Sequence, residues 1–88
     1  MGEREQYTAL IRDLIKKQGV IVGPEIATLQ ARQVRGLMLD DAGEVIDVGD
    51  DPLQTFQNLI TRFARFSGGI LGSTLSAIFA EHPALNLN

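Results

Sequence analysis

The sequence predicts a small, helix-rich α+β domain whose two- or three-stranded antiparallel sheet packs on its helices. Three observations predict it. Apolar residues recur at helical spacing over residues 4–18 and again over 52–66. Between these stretches, Asp40-Asp41-Ala42-Gly43 separates two short β-prone runs, as a hairpin loop does. The chain has 88 residues, 44% of them hydrophobic, which leaves room for one core and makes 1–88 a single domain. The expected order is helix, short strand, helix, hairpin, helix, helix.

Helix 4–18 follows from Tyr7, Leu10, Ile11, Leu14 and Ile15, which fall on one face, while Arg12, Asp13, Lys16 and Lys17 lie on the other. Lys16 and Lys17 suit the negative end of a helix dipole, and Gly19 suits the left-handed position that ends a helix. Val20-Ile21-Val22 is β-branched throughout and predicts a short strand, the candidate third strand of the sheet. Gly23-Pro24 opens a second helix over 24–34, because proline at the first helical position forfeits no hydrogen bond. Its expected apolar face is Ile26, Ala27, Leu29, Ala31 and Val34, with Gly36 as the stop.

The hairpin spans 37–48, with Leu37-Met38-Leu39 leading in and Val45-Ile46-Asp47-Val48 leading out. Two strands alone are marginal in water, so they must pack on helices or gain a third strand. Asp51-Pro52-Leu53-Gln54 starts a third helix over 52–66: Asp51 caps, Pro52 takes the first position, and Gln54 stands where a capping-box partner would. Leu53, Phe56, Ile60 and Phe63 form its face, widened by Leu59 and Phe66, with Arg62 and Arg65 pointing away. Ser67-Gly68-Gly69 breaks the pattern, and Ile70, Leu71, Leu75, Ile78 and Phe79 resume it in a fourth helix over 70–81. Pro83 ends that helix, and 84–88 is a loose tail.

Composition excludes several chemistries. There is no cysteine, so disulfides, thiolate metal sites and thiol nucleophiles are ruled out. The single histidine, His82, has Glu81 adjacent in sequence and not across a helix face, and Ser67, Ser73 and Ser76 lack the strand-turn-helix setting of a nucleophile elbow, so His82 reads as a helix-end residue. Asp40, Asp41, Glu44, Asp47, Asp50 and Asp51 crowd into twelve residues, but neither their spacing nor their glycine fits a calcium loop. Gly68-Gly69-Ile70-Leu71-Gly72-Ser73 lacks the lysine and the preceding strand of a phosphate loop. No cofactor, metal site or enzymatic activity is expected. Residues 1–9 are mostly polar with no apolar run behind them, so the expected location is cytoplasmic. The longest uncharged stretch, residues 66–80, has 15 residues and is too short and too rich in Gly, Ser and Thr to span a membrane.

The net charge is −3, against the basic balance of most nucleic-acid binders. The acidic block leaves eight basic and five acidic residues elsewhere, so the molecule is expected to be acidic at one end and basic at another. Arg32 with Arg35, and Arg62 with Arg65, are spaced for ion pairs with that block or for plain solvation.

These features favour a non-enzymatic protein-interaction or regulatory module that forms a homodimer. Gly69, Gly72, Ser73 and Ser76 make a smooth stripe on the fourth helix, and Phe63, Phe66, Leu71, Leu75 and Phe79 are the expected shared surface. The acidic loop at Asp40, Asp41 and Glu44 is left for a second, basic protein partner. The order of helix, short strand, helix, hairpin and helix also resembles a winged-helix DNA-binding domain. That resemblance implies a DNA-binding regulator in which helix 24–34 reads the duplex and Arg32 and Arg35 contact phosphate or bases. It is the alternative, because an acidic wing repels phosphates.

Overall fold

The structure, a computed structural model, describes residues 2–67 and 80, with only the backbone of residues 66 and 67. The elements are α1 (Glu3–Val22), α2 (Pro24–Arg32), β1 (Met38–Leu39), β2 (Val45–Asp47) and α3 (Pro52–Ser67). This is the small α+β class expected. The fourth helix over 70–81 (apart from Ala80), the tail 84–88, His82 and the stripe Gly69, Gly72, Ser73 and Ser76 lie outside the described residues.

The short strand over 20–22 is corrected. α1 runs through Gly19 and ends only at Val22, so the β-branched run is its last turn. There Gly23 donates its N–H to the Gly19 carbonyl at 2.9 Å and takes φ 101°, which breaks the helix. The run pairs with neither strand of the sheet, and within α1 its backbone completes helical hydrogen bonds instead. Gly19 is therefore not a stop. A Cβ there would lie 3.2 Å from the Pro24 Cα, so its missing side chain lets the start of α2 fold back against α1. Lys16 and Lys17 consequently sit before the last turn, which holds no basic residue.

α2 ends at Arg32, two residues short of the expected 34, and Gln33, Val34 and Leu37 continue in tight i→i+3 bonds. Its buried stripe is Ala27, Gln30 and Ala31, which Val34 of the following turn extends. That spacing is helical, but it turns Ile26 and Leu29 out of the core, to 50% and 60% exposure. The two buried alanines are small enough to let the helices meet closely.

The hairpin forms as expected. Asp40 N–H donates to the Glu44 carbonyl, Gly43 N–H donates to the Asp40 carbonyl, and Gly43 takes φ 87°. Met38 pairs with Asp47 and Leu39 with Val45, so Ile46 is an extra residue bulging from β2. The sheet has two strands among the described residues.

At the hairpin base two glycines cross. A Cβ on Gly49 would lie 3.1 Å from the Gly36 carbonyl oxygen, and both residues have positive φ. Thr55 of α3 closes this junction by donating its hydroxyl to the buried Val48 carbonyl at 2.8 Å. Asp51 caps α3, its carboxylate accepting from Gln54 N–H at 3.1 Å. The reciprocal half of the capping box is absent, because the Gln54 side chain donates to Asn58 instead.

The core gathers Tyr7, Leu10, Ile11, Leu14 and Ile15 of α1, the small face of α2, Leu37 and Val48 beside the strands, and Phe56, Leu59 and Phe63 of α3. Leu53 lies at the edge, 37% exposed, and Ile60 is partly buried. The rings of Tyr7 and Phe56 meet at 6.3 Å, tilted.

Candidate functional site

Leu29, which α2 turns outward, borders a groove. Its floor is the contact between Thr28 of α2 and Gly43 of the hairpin loop, where a Cβ on Gly43 would lie 3.2 Å from the Thr28 hydroxyl. Glycine is required here twice, for its φ and for this approach. Two hollows flank the floor and share Pro24, Thr28, Ala42 and Gly43. One, of about 330 Å³, is walled by Leu29, Glu25, Arg32 and Asp41. The other, of about 380 Å³, is walled by Ile15, Gly19, Val20, Lys16 and Glu44. Val20, at 89% exposure, and Leu29 are the large apolar side chains at the two sides.

The acidic block divides once its bonds are known. One Asp40 carboxylate oxygen accepts from the N–H groups of both Ala42 and Glu44 at 2.9 Å, so it holds the loop. Asp47 accepts from Val48 and Gly49 N–H and pairs with Arg4 at 3.0 Å, and Asp51 is the cap. Asp41 and Glu44 carry carboxylates that make no such bond and stand beside the groove. Glu25, from the first turn of α2, joins them across the loop. Of the acidic residues expected at the loop, Asp41 and Glu44 thus stand beside the groove with Glu25, and Asp40 is held by the loop backbone.

Arg32 and Arg62 are engaged within the fold, and Arg35 and Arg65 are exposed. Arg32 reaches to the hairpin and donates to the carbonyls of Leu39, at 3.2 Å, and Asp40, at 2.6 Å. Arg35 is exposed. Arg62 does not point away: it lies half-buried and donates to Gln33 of α2 at 2.9 Å. In the acidic block Asp47 is paired with Arg4, and not with Arg62 or Arg65.

Of the residues expected to form a shared surface, Phe63 is fully buried in the core of its own chain. It lies one helical turn after Leu59 on the inward face of α3, where packing takes its whole ring. The side chain of Phe66, and Leu71, Leu75 and Phe79, lie outside the described residues.

Sequence reasoning missed Glu25, Leu29 and Val20. The signal for Leu29 was present in the spacing of Ala27, Gln30, Ala31 and Val34, which interleaves with the more hydrophobic Ile26 and Leu29. Among the described residues no three His, Asp or Glu side chains come together to hold a metal ion. None of the described helices is long and apolar enough to cross a membrane. No protein-family model matches the chain, and no curated protein or solved structure matches it.

Proposed function

We infer that this chain is a non-enzymatic protein-interaction module, which presents the α2–hairpin groove to a partner and pairs with a second copy of itself through residues 70–81. The observation that carries the reading is the outward turn of α2, which leaves Leu29 in solvent at the wall of an open groove. Both hollows are at the small end of the size range for ligand pockets, on the order of 300–1,000 Å³. They are open on one side, which suits side chains protruding from a protein better than an enclosed small molecule. Self-association is supported by the 15 uncharged residues 66–80, among which Leu71, Leu75 and Phe79 recur every fourth position.

Duplex DNA has less in its favour. Arg32, the first expected phosphate contact, is occupied with two hairpin carbonyls, and Glu25 and Asp41 stand beside it.

The test of self-association is molar mass by light scattering across a dilution series. A mass of twice 9.6 kDa that persists on dilution, and falls to one chain in Leu75→Asp with the circular dichroism retained, is the expected result. A single-chain mass at every concentration overturns the self-association half of this reading.

A further inference from the structure

We propose that the groove between α2 and the hairpin loop is the docking site for a short segment of a second protein, one with two apolar side chains and a lysine or arginine at one end. This rests on the reading of the chain as an interaction module and names the chemistry of its partner.

The apolar requirement follows from the walls. Leu29 with Pro24, and Val20 with Ile15, offer hydrocarbon on the two sides of the Thr28–Gly43 floor. A side chain in each hollow would cover two of the most exposed apolar residues on the described surface.

The charge requirement follows from what faces each hollow. The Leu29 hollow is faced by the Glu25 and Asp41 carboxylates and by Arg32. Arg32 is directed to the Leu39 and Asp40 carbonyls, while the two carboxylates have no hydrogen-bond or ion-pair partner among the described residues. Two carboxylates against one guanidinium leave this end net negative, so it takes a cation. The Val20 hollow is faced by Glu44 and Lys16, which balance, and Lys16 disfavours a second cation there. The partner's basic residue is thus placed at the Glu25–Asp41 end.

The direct test is selection of a random 12-residue peptide library on the full chain, with the winners measured by fluorescence anisotropy. The expected winners carry two apolar residues and a Lys or Arg to one side of them. Their affinity falls at least tenfold in the Glu25→Lys/Asp41→Lys double variant and in Leu29→Asp, both at exposed positions, with circular dichroism unchanged. Loss of binding at high salt in the wild type supports the same assignment. Acidic or neutral winners, winners that bind the variants equally well, or no enrichment at all overturn it. If the double variant instead lowers the molar mass of the chain, a second copy occupies the groove and the proposal fails. Mass and peptide binding are separate readouts, so failure of the groove is distinguishable from failure of self-association.

Discussion

Several single residues here have a local meaning in sequence and a different one in space. Gly19 is a helix stop by position, yet it lies inside α1 because Pro24 needs the space beside it. Asp40 belongs to an acidic run, yet its carboxylate is held by the backbone of its own loop. Tyr7 is an ordinary face residue of α1 whose burial, with the carboxylates of Glu3 and Asp51 adding to the effect, raises its phenol above the usual tyrosine pKa. As pH rises, the unfolded chain loses that proton first, so the folded chain holds more protons and stability falls. The contribution is intact below roughly pH 10, the unfolded value, and disappears as pH climbs through the raised folded value. Thermal melts from pH 7 to 11 are expected to show Tyr7→Phe following the wild type at neutral pH and exceeding it in the alkaline range. Parallel alkaline decline in both proteins would place the loss elsewhere.

At the scale of elements, the hairpin depends on α2 as much as on its own loop. Asp40 directs its N–H to Glu44 across the pair, so the adjacent Leu39 directs its carbonyl to the outer side of β1. Arg32 meets that carbonyl and the next, which both ties the loop to α2 and blunts an open strand edge. Arg32→Ala is expected to cost about 1 kcal/mol in urea denaturation, since exposed carbonyls recover water. Hydrogen exchange should rise in the amides of residues 38–47 and not in α3. Uniform exchange across the chain would mean that the hairpin does not open separately. The same tie explains why an arginine expected at a partner's phosphate is engaged within the fold.

Across the whole molecule, one apolar cluster joins all three described helices to the residues flanking the strands. Phe63 shows what that closure does to a surface read from sequence alone. It was an expected interface residue, and it is wholly inside. Phe63→Ala should lower the unfolding free energy by about 3–5 kcal/mol in chemical denaturation, a core cavity effect independent of chain concentration. A loss that vanishes on raising the concentration would instead mark Phe63 as part of a contact between copies. Charge also segregates at this scale. Glu25, Asp41 and Glu44 gather at the groove from two elements, whereas α3 has no acidic residue and carries Arg62 and Arg65.

The sequence by itself determined what short-range rules govern: the amphipathic stripe of α1, the Asp51-Pro52 start of α3, and the hairpin loop closed by Gly43. Each depends on side-chain period, a cap or a left-handed glycine, all set within a few residues. Only the tertiary structure decided the state of Val20-Ile21-Val22, since a β-branched run becomes a strand only where the fold lays it alongside another strand. The outward face of α2 was decided in the same way. Alanine and leucine are both apolar, and the choice between them for the core depended on how closely α1 could approach, a distance that Gly19 and Pro24 set together. The groove is the consequence: its walls come from residues 15–32 and 41–44, brought together by the elbow at Gly23 and the contact of Gly43 with Thr28.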